Sequence, residues 1–290
     1  MLHKLLIQIL AFIFAIMLSI FAIGTILTAS APTAVGVLIT DFPVESVQIP
    51  DTDGPTVHGW LVYGKPGNGV VLLVHSMRSN RLEMLSRARF LKDQGFTVLF
   101  IDLQAHGETV GDNITFGLRE SKNVEAAVTF LRKTFPAERI GAIGTSLGAA
   151  AIVLAKQDLG LNAVILESLH PTIEEAVENR LKLHFGEYGV LLLPLMLWQL
   201  SFYLDTSMDA LSPITHINNL NSPVLFISGT NDMHTTQLET ERLFEAARIP
   251  KDLWIVPGAR HFNMHTYAGR EYELRVNTFL SEFLHRYDEQ

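Results

Sequence analysis

The sequence contains no cysteine. Disulfide bonds, thiolate metal sites and a cysteine nucleophile are therefore excluded. Positive charge is also scarce. The chain has 22 Lys and Arg and 30 Asp and Glu, which gives a formal net charge of −8, and no basic cluster occurs. This balance argues against a nucleic-acid partner. With 290 residues, 48% of them hydrophobic, the chain is nevertheless long enough to bury a large core.

Charged residues are missing from one long stretch near the N-terminus. Residues 5–27 read LLIQILAFIFAIMLSIFAIGTIL, in which Gln8 is the one strongly polar side chain. A helix of this length extends about 35 Å, which exceeds a hydrocarbon core of about 30 Å. We therefore expect residues 1–28 to form a transmembrane anchor. A cleaved signal peptide is the alternative, but its apolar core is normally shorter.

The residues that flank this stretch bear on cleavage and orientation. Ala29-Ser30-Ala31 resembles a cleavage site, but Pro32 follows it directly, which is a poor context for cleavage. Lys4 and the α-amino group precede the stretch, whereas no Lys or Arg follows it before Lys65. The positive-inside rule then places the N-terminus in the cytoplasm and the large domain outside.

Beyond the anchor, a short linker leads into an alternating pattern. Residues 29–43, rich in Ala, Thr and Pro, are expected to form the linker, and the apolar runs at 47–49 and 57–62 favour a β-hairpin. Further apolar runs occupy 69–74, 97–101, 140–143, 163–166, 224–227 and 253–256, and helical patterns occupy 81–94, 121–134, 146–157, 236–247 and 271–287. Strands that are apolar throughout are typical of parallel sheets covered on both faces. The alternation predicts an α/β fold with a mostly parallel sheet and helices on both faces.

One segment, residues 169–212, interrupts this alternation. It contains the apolar sequence GVLLLPLMLWQLSFYL over residues 189–204, which Pro194 and Gln199 interrupt. This stretch is short for a second membrane span, which needs about 20 residues. We expect a small helical cap over the site, with a second span and a buried core helix as the alternatives.

Ser146 is the candidate nucleophile. It stands in Gly144-Thr145-Ser146-Leu147-Gly148, where an apolar run passes into a helical pattern. Such a tight strand-to-helix turn holds the serine in a strained conformation with its hydroxyl exposed, and glycines on both sides avoid collisions. A chance Gly/Ser turn is the alternative.

A serine hydroxyl needs a base, and the base needs an acid to orient it. His261 follows the apolar run at 253–256 and is the candidate base, with His265 as its rival. Asp232 follows the run at 224–227 and is the candidate acid, with Glu167 as its substitute. Loops at the carboxyl ends of strands form the sites of open α/β sheets, so these residues are expected to meet Ser146.

The oxyanion of a tetrahedral intermediate needs two hydrogen-bond donors. The backbone N–H of Leu147, directly after the candidate nucleophile, is one candidate. The second is expected from the loop after the run at 69–74, where Met77 is the first choice and Ser76 the second. His75 is expected to hold this loop in place.

Five segments in a fixed order carry a resemblance to a known family. They are residues 71–75 (VLLVH), 101–108 (IDLQAHGE), the turn around Ser146, 222–232 and 258–261. From about residue 44 onward, the chain resembles the α/β-hydrolase superfamily, and within it the membrane-anchored serine hydrolases of the BEM46-like and dipeptidyl-peptidase-like group.

The resemblance implies an α/β-hydrolase fold over residues 44–290. It also implies hydrolysis of an ester, thioester or amide through an acyl-enzyme, with no metal and no organic cofactor. Two departures occur: the family's His-Gly is His75-Ser76 here, and its Arg-Gly-His-Gly is 104–107, QAHG. The first departure puts the oxyanion loop in doubt, whereas the second concerns a motif that supports the fold.

The leading hypothesis is a serine hydrolase of the carboxylesterase or lipase type. Its partners would be a small-molecule or lipid-like acyl substrate and the membrane around the N-terminal helix. A serine peptidase or an acyltransferase on the same three residues is the second hypothesis. A catalytically silent, membrane-anchored binding protein is the third, and loss of one of the three residues would favour it, whereas all three are present.

Overall fold

An eight-stranded sheet organises the chain after residue 44 of this computed structural model, which describes residues 2–36, 42–51, 54–155, 158–261 and 263–285. The strands are β1 (Glu45–Ile49), β2 (Val57–Val62), β3 (Val70–Val74), β4 (Thr97–Ile101), β5 (Ile140–Thr145), β6 (Ala163–Glu167), β7 (Val224–Gly229) and β8 (Lys251–Val256). Their spatial order is β8-β7-β6-β5-β3-β4-β2-β1. Strands β3 to β8 are parallel, while β2 is antiparallel to both β4 and β1. The predicted hairpin and mostly parallel sheet are confirmed.

Helices cover both faces of this sheet. The helices in the described part of the chain are α1 (Leu2–Thr28), α2 (Leu85–Asp93), α3 (Glu120–Thr134), α4 (Leu147–Val153), α5 (Ile173–Phe185), α6 (Leu193–Leu204), α7 (Pro213–His216), α8 (Gln237–Ala246), α9 (Met264–Ala268) and α10 (Arg270–Leu284), of which α2, α3, α4, α8 and α10 cover the sheet. Side chains of α3, α4 and α8 share one buried apolar cluster, and those of α2 and α10 share the other. Within β3, Leu72 contributes to the first cluster and Leu73 to the second. Successive side chains of a strand point to opposite faces, which is why the run is apolar throughout.

The strand order makes the loops after β3 and β5 leave the sheet in opposite directions. These two strands are neighbours, and Val74 at the end of β3 is paired with Gly144 near the end of β5. The chain leaves β3 for β4 on one side and leaves β5 for β6 on the other. The loops that follow β3 and β5 therefore diverge at a shared edge, which is where ligands bind in open α/β sheets.

The segment 169–212 is helical and lies between β6 and β7. It comprises α5, a 3-10 helix over Glu187–Leu192, α6, and a 3-10 helix over Asp209–Leu211. Pro194, which interrupts the apolar run in the sequence, stands in the first turn of α6, where its missing N–H costs no hydrogen bond. Asp205 ends α6 in a left-handed conformation, with φ of 47°.

The residues after α1 are fixed to the domain rather than forming a free tether. Ala31 and Pro32 pair in parallel with His106 and Gly107, and the Ala31 N–H donates to the carbonyl of Ala105 at 2.7 Å. The expected linker therefore begins with an ordered contact. Several sequence-based expectations lie outside the described residues. They are linker residues 37–41, residues 52–53 of the turn between the runs at 47–49 and 57–62, and helix residues 156–157 and 286–287.

Within the part of the chain that the structure describes, two helical stretches are long and apolar enough to cross a membrane by length and composition. The first is His3–Thr28, with a mean hydropathy of 2.8, and the second is Glu187–Leu204, with a mean hydropathy of 1.2. Nearly all of the first stretch is exposed, and its last turns contact α6.

Candidate active site

Ser146 occupies the turn between β5 and α4. Its φ of 51° and ψ of −107° lie in a region that side chains other than glycine rarely adopt. The Ser146 N–H donates to the carbonyl of Glu167 on the neighbouring strand at 2.8 Å. This backbone bond helps the sheet hold the turn in its strained shape at the carboxyl end of β5. Ser146 is buried there, with 5% of its surface exposed, rather than open to solvent as the sequence pattern predicts.

The two glycines of the turn allow close backbone approach. A Cβ atom on Gly144 would lie 2.6 Å from the Ala149 nitrogen, and one on Gly148 would collide with the carbonyl of Val74. Gly144 therefore lets α4 start directly above the strand, and Gly148 lets α4 pass close to the end of β3.

His261 lies between Ser146 and Asp232. Its Nδ1 is 2.8 Å from Asp232 Oδ2, and its Nε2 is 3.3 Å from Ser146 Oγ. Because a carboxylate only accepts, the proton is assigned to Nδ1, which leaves Nε2 free to accept from the Ser146 hydroxyl. The structure thus brings together three residues that lie 29 and 115 positions apart in the chain.

The Asp232 carboxylate is buried but well supplied with donors. Its Oδ1 accepts the backbone N–H groups of His234 and Thr235, each at 2.9 Å. Burial alone would raise the pKa of Asp232, but the hydrogen bond from His261 and its electrostatic interaction with that ring, with the Thr235 N–H, lower it overall. The carboxyl group is therefore charged at neutral pH.

Two further histidines lie close to this group, and sequence reasoning missed both. The His234 ring is 4.9 Å from that of His261, and burial, with His261 and Arg180 nearby, lowers the pKa of His234 to about 4. Burial, with Arg180 and His261, lowers the pKa of His170 to about 3. Both rings are neutral at neutral pH. Neither stands in a recognisable motif among the 11 histidines, so the fold was needed to find them.

The loop after β3 is fixed on both sides of Met77. The backbone N–H and the hydroxyl of Ser76 both donate to Glu83, at 2.9 and 2.8 Å. The Arg78 N–H donates to Nε2 of His106 at 2.9 Å. Within the described parts of the chain, the Met77 N–H has no acceptor in hydrogen-bond range.

The other expected donor, the N–H of Leu147, opens α4. First-turn N–H groups of a helix have no acceptor within that helix. They also lie at its positive end, which favours a negative charge nearby.

His75 and His106 hold this loop as neutral rings. His75 Nε2 accepts from the Leu103 N–H at 3.0 Å, and its Nδ1 lies 2.6 Å from the Ser76 carbonyl. Burial lowers the pKa of His75, and burial together with His75 lowers the pKa of His106 to about 4. Each Nε2 must be unprotonated to accept its backbone N–H, so both hydrogen bonds agree with these pKa shifts.

The two rival residues are engaged elsewhere. Glu167 is fully buried and binds Arg87, with the Tyr272 hydroxyl donating to it at 2.6 Å. His265 lies 3.1 Å from the Ser86 hydroxyl and 3.0 Å from Glu273. Both side chains therefore have other partners, whereas Asp232 and His261 bind each other.

Comparison with known proteins agrees with this fold. The model of the alpha/beta hydrolase family matches residues 57–273, and the chain belongs to that family. It is 28% identical over 236 residues to the uncharacterized protein YqkD of Bacillus subtilis, covering 80% of this chain and 77% of that one. It is 25% identical over 228 residues to the uncharacterized protein YfhR of Escherichia coli K12, covering 76% and 74%.

Solved structures share the same architecture. The esterase Pf2001 of Pyrococcus furiosus superposes with a TM-score of 0.72 at 22% identity, covering 88% of this chain and 98% of that one. The esterase EaEST of Exiguobacterium antarcticum superposes with a TM-score of 0.59 at 13% identity, covering 81% and 99%. At these identities the likeness concerns the fold.

Proposed function

We propose that this chain is a serine hydrolase that cleaves carboxylic esters through an acyl-enzyme. Ser146 is the nucleophile, His261 the general base and acid, and Asp232 the group that orients His261. The observation that carries this proposal is the bridging position of His261, 2.8 Å from Asp232 and 3.3 Å from Ser146. The second distance is long for a hydrogen bond to a base, as is common before substrate binds.

In the first half of the reaction, Ser146 Oγ attacks the ester carbonyl carbon while His261 Nε2 takes the hydroxyl proton. The carbonyl oxygen becomes an oxyanion, which accepts hydrogen bonds from the N–H groups of Leu147 and Met77. We favour Met77 over Ser76 because the Ser76 N–H already donates to Glu83. Asp232 stabilises the imidazolium of His261 without taking its proton.

The tetrahedral intermediate then collapses and breaks the bond to the leaving oxygen. His261 gives its proton to that oxygen, so an alcohol departs and the acyl group stays on Ser146. A water molecule attacks the acyl carbon while His261 takes one of its protons. The second collapse returns this proton to Ser146 Oγ and releases the carboxylic acid.

We propose that the segment 169–212 is a cap that favours apolar, lipid-like acyl groups. Its helices bury an apolar cluster that includes Ile173, Leu200 and Leu204, and residues 188–204 contain no charged side chain. The value of kcat/KM for p-nitrophenyl esters should then rise with acyl length, by up to about fourfold for each buried methylene. A flat chain-length profile would contradict this preference.

We further propose that residues 1–28 anchor the chain in a membrane and that 44–290 form the hydrolase domain outside the cytoplasm, as in the BEM46-like group. The length and apolar composition of His3–Thr28 support this. The protein should stay in the membrane fraction after alkaline carbonate and enter solution with detergent. External protease should degrade the domain in intact cells. Release by carbonate alone would contradict the anchor.

Two alternatives share the same three residues. A peptidase would hydrolyse peptide amides as well as p-nitrophenyl esters, whereas an esterase would leave the amides uncleaved. An acyltransferase would form more ester than acid when an alcohol acceptor is added. A silent binding protein would leave Ser146 unreactive toward fluorophosphonates. The free N–H of Met77 and the 3.3 Å distance from His261 Nε2 to Ser146 Oγ favour a catalyst over a silent binding protein, because binding alone requires neither.

A further inference from the structure

Helix α6 is docked against the last turns of α1. The side-chain amide of Gln199 donates to the carbonyl of Phe21 at 2.9 Å, and the Thr25 hydroxyl lies 3.3 Å from that of Tyr203. A Cβ atom on Gly24 would collide with Gln199, so the glycine lets the two helices come close. Gln199, the polar residue that interrupts the apolar run, is therefore a contact to the anchor.

This contact fixes the depth of α6 if α1 spans a membrane. Residues 5–19, which precede the contact, extend only about 22 Å, less than a hydrocarbon core of about 30 Å. A span that starts at residue 5 needs about 20 residues and reaches residue 24. The level of Phe21 and Gly24, where Gln199 binds, therefore lies within the hydrocarbon region.

A charged side chain marks where α1 leaves that region. The guanidinium of Arg78 donates to the carbonyls of Ile26 and Leu27 near the end of α1. A guanidinium favours the headgroup level over hydrocarbon. Phe21 precedes Ile26 by five residues, so the contact with Gln199 lies about 7 Å deeper than Arg78. Helices that lie in a membrane interface bury their apolar face by about 5–10 Å.

Large apolar side chains are exposed on α6 and on the 3-10 helix before it. Tyr188 is 84% exposed, Leu191 79%, Trp198 62% and Phe202 76%, and the rings of Trp198 and Phe202 are stacked with centroids 6.1 Å apart. Tryptophan and tyrosine are the residues that favour the membrane–water interface. Exposed apolar groups clustered in this way mark a contact surface rather than scattered surface residues.

We propose that α6 and the 3-10 helix before it insert into the leaflet on the domain side, next to α1. This inference rests on the proposed membrane role of α1, and the partner is the lipid surface. The apolar stretch Glu187–Leu204 has 18 residues and passes from a 3-10 helix into α6. Helix α6 itself has 12 residues, about 18 Å, which does not cross a hydrocarbon core of about 30 Å, so we infer insertion into one leaflet rather than a second span. In this arrangement Gln199 of the cap binds α1, and the exposed rings of Trp198 and Phe202 contact lipid.

The test uses tryptophan fluorescence of the full-length protein in phosphatidylcholine vesicles. The chain has three tryptophans, and Trp60 and Trp254 are only 3% and 5% exposed. The difference between the wild type and Trp198→Phe therefore reports on Trp198. In vesicles brominated near the top of the acyl chains, we expect this difference signal to fall roughly twofold relative to unbrominated vesicles.

A matched variant controls for exposure alone. Leu274 on α10 is exposed and lies outside the cap. The double variant Trp198→Phe/Leu274→Trp therefore has its exposed tryptophan away from the cap. We expect bromine not to quench the fluorescence of that tryptophan. Equal quenching of Trp198 and of the tryptophan at position 274, or none at either, would overturn the insertion. A dimer that shields Trp198 from bromine would also overturn it.

Two readouts separate this inference from the proposed function. Fluorophosphonate labelling of Ser146 reports on the hydrolase, and retention after alkaline carbonate reports on the anchor. Labelled and retained protein whose Trp198 is unquenched would overturn only the insertion of α6. Loss of labelling or of retention would overturn the proposed function itself.

Discussion

The carboxylate of Glu83 accepts two hydrogen bonds from Ser76, one from its backbone N–H at 2.9 Å and one from its hydroxyl at 2.8 Å. Two residues further on, the Arg78 N–H is bound to His106. Met77 is thus held between two fixed neighbours, with its own N–H free of any acceptor in the described chain. Donors fixed before reaction stabilise an oxyanion without having to reorganise during it.

The Glu83 contact should matter for rate more than for folding. We expect Glu83→Ala, which removes the acceptor of the Ser76 N–H, to lower kcat for p-nitrophenyl esters by about tenfold, less than the 10²- to 10³-fold loss of a complete oxyanion donor. Ser76→Ala keeps the backbone bond to Glu83 and should stay within about twofold of the wild type. Steady-state kinetics of the three proteins checks this, and equal losses in the two variants would argue against the role given to the loop.

The stability of the fold should decrease as the pH falls from about 6.5 toward 4. The folded pKa of His106 is about 4, below its usual value near 6.5, so the unfolded chain binds more protons in this window. Near pH 5, His106 alone should cost about 2 kcal/mol relative to pH 7. Because glutamine has no titratable group, His106→Gln should lose less stability between pH 7 and pH 5.

Thermal unfolding of the two proteins in detergent at both pH values measures this difference. His170 and His234 also have lowered pKa values, so we expect the variant to retain part of the pH dependence. An identical decrease in Tm for the two proteins would rule out a contribution from His106.

The ion pair between Glu167 and Arg87 should be structural. Both side chains are fully buried, so Glu167→Ala leaves an unpaired guanidinium and should cost about 3–5 kcal/mol of unfolding free energy. Glu271, paired with Arg275 on the exposed face of α10, is the matched control. Glu271→Ala should cost less than about 1 kcal/mol. Chemical denaturation measures both, and equal effects would contradict the structural role of Glu167.

Unlike Glu167, Asp232 should matter for the reaction rate and not for the stability of the fold. We expect Asp232→Asn to keep the fold but to lower kcat by about 10³- to 10⁴-fold, because the amide does not hold the required tautomer of His261. Asp209→Asn, at an exposed aspartate, is the control and should keep normal activity. Kinetics together with circular dichroism tests this. An active Asp232→Asn protein would remove Asp232 from the proposed mechanism.

Much of the fold was predictable because each strand of a covered parallel sheet is apolar on both faces. The run at 97–101 coincides with β4, and the turn at Ser146 joins β5 to α4 as its glycines indicate. The ends of strands were less predictable, since β5 and β7 continue into residues such as Thr145 and Gly229 that are not strongly apolar. Their pairing with neighbouring strands, rather than their own composition, sets these ends.

Local sequence could not reveal contacts between distant segments. Glu83 follows Ser76 by seven residues in no known motif, and Arg87 meets Glu167 across 80 residues. The ordered pairing of Ala31 with the 106–107 strand also depends on the folded domain. By contrast, the candidate residues Ser146, Asp232 and His261 each follow a strand, and strand ends share one edge of a parallel sheet.

The central claim is that Ser146 is the nucleophile of a serine hydrolase. It is tested most directly by treating the purified full-length protein with a fluorophosphonate and mapping the adduct by mass spectrometry. We predict one adduct on Ser146 in the wild type and in the control Ser281→Ala, and none in Ser146→Ala. An unlabelled wild type, or an adduct that persists in Ser146→Ala, would contradict the claim.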